Sequence, residues 1–315
     1  MDIIDNNKKW PIHPYPYTGE SLISWVARIA ETYQVSLKEF CMRALDLSDH
    51  FFDEIDLFAP QEVLEKLSTG TGVPITHIKT LIPQQYEGRL FNTEYDKYTI
   101  EMLKTVKAIY YLPLAALENN TSQVIIHRTF LPWTLSKYGT ASFCPKCFTE
   151  DNRPYYRSKW QIPLIVLCSR HQILLQDKCW RCHVETIKTS LIGIAATVCI
   201  RCGANLQLAP VTFANDDLIL ITKLIAHALE NETIAIPSYG VFKSHLFFFI
   251  IRLAIEVGRN LDFETNNKVV SQLWRITNIV LSEKVQAKLT QFWFECMPLE
   301  IRILIINQAA KALNK

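Results

Sequence analysis

Seven of the chain's nine cysteines fall between residues 144 and 202, in the order Cys144, Cys147, Cys168, Cys179, Cys182, Cys199 and Cys202, while Cys41 and Cys296 lie far away. With His171, three residues after Cys168, they make four pairs of one form, ligand-x2-ligand: Cys144/Cys147, Cys168/His171, Cys179/Cys182 and Cys199/Cys202. A two-residue spacer forms a tight knuckle that aims two side chains at one ion, and a tetrahedral metal then needs a second knuckle to close its shell. Pro145 and Gly203 suit such turns. The gaps between pairs are 20, 7 and 16 residues, room for a short hairpin or strand but not for independent domains. Eight donors make two four-coordinate zinc sites, one of three cysteines and a histidine and the other all cysteine.

Two other chemistries use cysteine. Disulfides need an oxidising compartment, which the N-terminus does not support, and an iron–sulfur cluster uses four cysteines without needing four regular knuckles. Both zinc sites are closed, leaving no position for water, so metal-assisted hydrolysis is disfavoured. His183, beside Cys182, is the one spare donor and reads as a surface residue.

The charge of the chain follows the cysteines. Residues 1–126 hold 11 Lys+Arg against 17 Asp+Glu (net −6), residues 127–202 hold 11 against 4 (+7), and residues 203–315 hold 11 against 10 (+1). Seven thiolates and two divalent ions would bring the middle stretch to about +4, still basic. Eight of its eleven cations, Arg153, Arg157, Lys159, Arg170, Lys178, Arg181, Lys188 and Arg201, are interleaved with Tyr155, Tyr156, Trp160 and Trp180. That composition suits phosphate contacts with base stacking, and equally a solvated rim around a small aromatic core.

Helical elements flank this module. Leu22, Trp25, Val26, Ile29, Ala30 and Tyr33 recur at helical spacing over residues 20–33, with Thr18 available as N-cap. A second helix starts at Ser36, where Glu39 completes a capping box, and continues through Leu37, Phe40, Cys41, Ala44 and Leu45. Residues 61–82 repeat the arrangement: Val63, Leu64 and Leu67, a turn from Gly70 to Pro74, then Ile75, Ile78, Leu81 and Ile82. These hairpins resemble helix-turn-helix units, but a DNA reader should be basic, and the −6 of this stretch favours protein docking. After the cysteines, helical periodicity runs from Asp216 to Glu230, Ser244 to Gly258, Val269 to Val280 and Glu283 to Leu313, the last interrupted at Pro298. The expected fold is mainly α: an N-terminal helical domain with helix-turn-helix-like units (1–126), a double zinc-knuckle module with short β-hairpins (127–210), and a C-terminal α-helical bundle (211–315).

The 315 residues, 49% hydrophobic and 20% charged, can bury a real core. No apolar run reaches the roughly 18 residues of a membrane helix. Asp2 and Asp5 stand where an export signal would be basic, so a soluble protein of the reducing cytoplasm is expected. Nine glycines leave no Gly-rich phosphate loop, which argues against a nucleotide-binding core. No paired carboxylates, nucleophile motif or acidic metal triad stands out, and no enzymatic activity is expected.

The run Pro11-Ile12-His13-Pro14-Tyr15-Pro16-Tyr17-Thr18-Gly19-Glu20-Ser21-Leu22, followed by Ser24-Trp25 and Arg28, resembles the opening motif of the TniQ family. The central Phe143-Cys144-Pro145-Lys146-Cys147, Cys168-Ser169-Arg170-His171, Cys179-Trp180-Arg181-Cys182 and Cys199-Ile200-Arg201-Cys202 are similar to that family's paired zinc knuckles. His13 stands where the family pattern has Arg, and Thr18 where Pro is common. The resemblance implies a non-catalytic target-selection subunit of a Tn-seven-like transposition system. Its implied partners are the AAA+ ATPase TnsC, a guide-RNA effector complex of the Cascade kind in CRISPR-associated transposons, and target DNA or guide RNA. Whether the chain also forms a homodimer stays open. Longer TnsD-like members read a DNA attachment site themselves. The 113 residues after Cys202 are fewer than those relatives usually carry, which favours the guide-RNA adaptor.

The eight donors also run in the order of a RING finger, which would make a ubiquitin-ligase module. A RING cross-brace pairs the first knuckle with the third and usually leaves only two or three residues between His and the next Cys. Here seven intervene. Sequential pairing is expected: Cys144, Cys147, Cys168 and His171 on one ion, and Cys179, Cys182, Cys199 and Cys202 on the other.

Overall fold

Ser21, not Thr18, starts the first helix. Gly19 adopts the left-handed conformation (φ 72°), and the Glu20 N–H donates to the Tyr17 carbonyl at 3.0 Å, so Thr18 lies inside a turn. Ser21 is extended, and its hydroxyl accepts the Ser24 N–H at the head of α1 (Leu22–Thr32). Our computed structural model describes residues 9–47, 55, 59–86, 89, 141–186, 197–236, 240–244, 247–248, 299–300, 302–303 and 306–307.

Gln34 (φ 56°) reverses the chain, and Ser36 caps α2 (Leu37–Ala44) by accepting the Glu39 N–H at 3.1 Å. The Glu39 carboxylate pairs with Arg43 one turn on, at 2.9 Å. Helix α3 (Gln61–Thr71) stops at Gly72, whose left-handed φ of 72° no side-chain-bearing residue adopts cheaply. Val73 and Pro74 lead into α4 (Ile75–Ile78), which tightens into a 3-10 turn to Leu81. The apolar faces of these helices merge into one core. Leu22, Trp25, Val26 and Ile29 meet Leu37, Phe40, Cys41, Val63, Leu64, Leu67 and Ile78 there, each burial contributing about 1.5–3 kcal/mol for a large side chain. Trp10 closes it, edge-on to Phe40 with centroids 5.2 Å apart. Its indole occupies the space beside Gly70, where a Cβ would come within 2.1 Å of the ring. Burial pushes the Cys41 thiol up to about 12, and Cys41 is a core residue.

In the cysteine-rich stretch, α5 (Pro145–Glu150) and a 3-10 turn (Ser158–Gln161) precede a hairpin of β1 (Leu167–Cys168) and β2 (Ile173–Leu174). The pair is antiparallel, with Leu167 opposite Leu174 and Cys168 opposite Ile173. Phe148 anchors the interior, stacked on Phe143 (5.4 Å) and edge-on to Tyr156 (5.2 Å).

Met1–Gln85 and Thr134–Phe213 form one compact unit, and Tyr86–Trp133 with Ala214–Lys315 form a second. The helices of the opening segment and the metal-site residues thus share a unit, while the boundary expected at 126/127 lies outside the described residues. In the second unit, Asn215 caps α6 (Asp216–Glu230), the helix expected there, with Asp216 and Asp217 favourably placed in its first turn. A hairpin follows that the periodicity did not signal: β3 (Thr233–Ile236) runs antiparallel to β4 (Gly240–Lys243). The helices expected after Ser244 lie largely or wholly outside the described residues. The described fold is mainly helical, with a few short antiparallel strand pairs. No described helix is long and apolar enough to cross a membrane.

Candidate metal centres

The first centre joins a helix start to a hairpin turn. Cys144 is the N-cap of α5 and accepts the Cys147 N–H through sulfur at 3.4 Å, so the knuckle is the first helical turn, with Pro145 preset for that position. Cys168 ends β1, and the turn to β2 closes by the Gln172 N–H donating to the Cys168 carbonyl (2.8 Å), with Gln172 left-handed (φ 53°). The donor atoms of Cys144, Cys147, Cys168 and His171 all lie within 4.8 Å of one another. His171 Nδ1 is 3.3 Å from both Cys144 and Cys147 sulfurs, and Cys147 Sγ is 3.6 Å from Cys168 Sγ. A tetrahedral zinc-class ion separates its sulfurs by about 3.8 Å and sulfur from nitrogen by about 3.6 Å. The donor set fits such an ion. On the far side of the ring, His171 Nε2 donates to Glu150 at 2.9 Å, leaving the Nδ1 lone pair for a metal. Arg170 reaches the same carboxylate at 2.7 Å, and the hydrogen bond from His171 holds Glu150 below the usual carboxylate range.

The second centre comes from two matching loops. The His183 N–H donates to the Cys179 carbonyl (2.9 Å) and the Gly203 N–H to the Cys199 carbonyl (2.8 Å), and both closing residues are left-handed (φ 55° and 67°). His183 thus ends a knuckle and belongs to neither donor cluster. Cys179, Cys182, Cys199 and Cys202 also converge within 4.8 Å. Across the two loops, Cys179 lies 3.7 Å from Cys202 and Cys182 lies 3.6 Å from Cys199. Knuckles therefore pair in sequence order, the first with the second and the third with the fourth, which rules out the RING cross-brace.

Thiols this close oppose each other's ionisation. Hydrogen bonds with Cys144 and Cys168 push Cys147 far above the ordinary thiol range, while the bonds from Cys144 and Cys147 pull Cys168 far below it. A divalent cation is what lets all three become thiolates together.

The opening motif builds a clamp. Glu20, 0% exposed, accepts from the Tyr17 N–H (2.9 Å), the Ser24 hydroxyl (3.0 Å), and Arg28 Nε (2.8 Å) and Nη2 (2.6 Å). Arg28 also donates to the Tyr15 carbonyl at 2.9 Å and lies over the Tyr17 ring at 4.0 Å. The strap held in this way pairs with the metal-site segment: the Ser21 N–H donates to the Tyr156 carbonyl (2.8 Å) and the Ser158 N–H to the Gly19 carbonyl (2.9 Å). The Tyr156 N–H donates to Ser24 Oγ at 3.2 Å, and the Tyr155 hydroxyl to the Thr18 carbonyl at 3.2 Å. His13 turns inward, its Nδ1 2.8 Å from the Trp10 carbonyl.

The described arginines of the basic stretch divide into two groups. Arg153 pairs with Glu31 of α1 at 2.5 Å. Arg157 donates twice to Asp151 (2.9 and 3.0 Å) between the rings of Tyr155 and Trp160, and Arg170 pairs with Glu150 and Asp151. Lys159 is half-buried on the 3-10 turn. Arg181 and Arg201, by contrast, are exposed inside the two knuckles of the second centre.

Sequence reasoning missed three functional features: the Glu150 support of His171, the Glu20–Arg28 clamp, and the strap on residues 156–158. The Glu20 and Arg28 side chains were visible within the opening motif, but nothing in their spacing gave them a joint role. A protein-family model described as TniQ matches residues 11–175, more than half of the chain, spanning the clamp and the first centre and ending before Cys179. No curated protein matches the chain.

Proposed function

The chain belongs to the TniQ family of transposition target-selection proteins, and we propose that it is the non-catalytic adaptor of an RNA-guided transposition system. It docks on a Cascade-like guide-RNA effector complex and recruits the AAA+ ATPase TnsC to the adjacent DNA, which directs insertion. The family match, which covers the clamp and the first centre together, carries this reading. Two further features support it. The exposed rim of the opening motif is apolar and aromatic, with Ile12 54% and Tyr15 59% exposed, a surface suited to a protein partner. The acidic balance of residues 1–126 disfavours a direct duplex reader.

Both centres take structural zinc in this reading. Zinc bound by Cys144, Cys147, Cys168 and His171, and by Cys179, Cys182, Cys199 and Cys202, supplies folding free energy and no reaction step. The residues of the chain do the rest: Glu150 orients His171, and the clamp fixes the helices on the metal-site segment so that a docked partner meets a rigid surface.

The test is a pull-down with purified TnsC and with the guide-RNA complex, beside a DNA titration of the protein alone at physiological salt. Capture by both partners with weak, sequence-independent DNA binding supports the adaptor. Tight binding to one duplex sequence without a guide complex would make the chain a TnsD-like direct reader instead, and capture by neither partner would remove the adaptor reading.

A further inference from the structure

We infer that the second metal centre is a single-stranded nucleic-acid contact, in which Trp180 stacks on a base while Arg181 and Arg201 hold the flanking phosphates. The two x2 segments are Trp180-Arg181 and Ile200-Arg201, so equivalent loop positions each present an apolar residue followed by an arginine. All four are exposed, Trp180 at 39% and Ile200 at 52%. Because the four sulfurs converge within 4.8 Å, the two loops flank one point.

These arginines differ from the other described arginines of the stretch. Arg153, Arg157 and Arg170 are each held by carboxylates of the same unit. Arg181 and Arg201 have no carboxylate partner among the described residues, so their guanidinium forks remain available to phosphate oxygens. Trp180 is exposed yet anchored, its Nε1–H donating to the Asn205 carbonyl at 2.9 Å. A fixed, half-open indole on the same pair of knuckles as two exposed arginines combines a stacking platform with phosphate anchors, the combination that binds unpaired strands whatever their sequence. Within a duplex every base face is covered by its stacked neighbours, so an unpaired strand is the fitting ligand.

Charge sets how strong the contact is. Four thiolates with one divalent ion carry −2, and Lys178 and Glu185 cancel, so Arg181 and Arg201 bring the two loops, residues 178–185 and 198–203, only to neutrality. Attraction is local, and its salt dependence reflects about two phosphates. The inference deepens the adaptor reading by naming the contact through which the chain meets guide RNA or a displaced DNA strand, and its test uses the protein alone. Failure here leaves the docking reading untouched, and a failed pull-down leaves this contact standing.

The experiment is fluorescence anisotropy of labelled DNA and RNA single strands of about 10 nucleotides, titrated at several salt concentrations against the metal-loaded full chain. Arg181→Gln with Arg201→Gln should lower the magnitude of the log–log salt slope by about 1.4, two contacts at about 0.7 each. Trp180→Ala should weaken binding by roughly fivefold or more, with Trp180→Phe recovering most of the loss. Arg153→Gln should change neither quantity. Metal content of each variant, measured in parallel, separates lost contact from lost fold. Tighter binding by the DNA or by the RNA strand names the source of the ligand. An unchanged slope in the double arginine variant with its metal intact overturns the proposal, as does equal affinity for blunt duplex.

Discussion

Replacing Arg28 with alanine leaves a buried carboxylate without its cation. Glu20 would keep the Tyr17 N–H and the Ser24 hydroxyl but lose two charge-assisted bonds of 2.8 and 2.6 Å, and the Tyr15 carbonyl would lose the donor at 2.9 Å. With Glu20 0% exposed, water cannot replace those donors without opening the strap. Breaking one side of a buried pair costs about 3–5 kcal/mol. The amides that report the strap are Ser21 and Ser158, which donate to Tyr156 and Gly19. At about 1.4 kcal/mol per tenfold, their hydrogen exchange in Arg28→Ala should accelerate by about 10²–10⁴. Arg28→Lys keeps the charge without the fork and should fall between. Arg43→Ala is the control: its pair with Glu39 is exposed, of the kind that contributes about 0.3–0.5 kcal/mol. Acceleration below tenfold at Ser21 and Ser158, or acceleration equal to that of Arg43→Ala, would refute the clamp.

Native mass spectrometry should find two zinc ions per chain, and Cys144→Ser should lower the count by one while the second centre keeps its metal. Glu150→Gln removes the carboxylate at 2.9 Å from His171 Nε2. Chelator competition should then show about 10–100-fold weaker metal binding at the first centre and no change at the second, and equal retention at both would dismiss Glu150 as a support. Gly70→Ala improves helix propensity by about 1 kcal/mol, yet it drives a Cβ to within 2.1 Å of the Trp10 ring. Overpacking costs about 1–3 kcal/mol and should outweigh that gain, with a net loss of up to about 2 kcal/mol in thermal or denaturant unfolding. A stabilised variant would mean that Trp10 does not lie on α3.

Short-range chemistry was the legible part of this fold. Ser36 with Glu39 and the apolar stripe of Asp216–Glu230 announced helix ends because a cap or a period acts within a few residues, while the turn expected from Gly70 to Pro74 begins only at Gly72, two residues late. The cysteine spacing likewise placed each knuckle, since two intervening residues determine which side chains can share an ion. Thr18 misled for a local reason: the Gly19 reversal delays the helix to Ser21, and two hydroxyls so near each other compete for the cap. The β3–β4 hairpin was missed because four-residue strands with no Asn-Gly or Asp-Gly between them give little period-2 signal. Glu150 and the strap were illegible for a deeper reason. A carboxylate 21 residues from its histidine and a backbone pairing between residues 19–21 and 156–158 are products of tertiary packing, and no local pattern encodes either.

The strap also dictates an order of events on the ribosome. The Thr18 carbonyl and the Tyr155 hydroxyl that meets it are 137 residues apart. At about 5–20 residues per second, on the order of ten seconds passes between the synthesis of the two. The opening helices can settle their own ion pair early, since Glu20 and Arg28 are only 8 residues apart, but Gly19 and Ser21 then wait with an open edge. By the time Tyr156 arrives, Cys144 and Cys147 have been made and Cys168 with His171 follows shortly. Closure of the opening edge therefore becomes a late step of biogenesis, and it falls within the same few seconds as the synthesis of the last donor of the first centre.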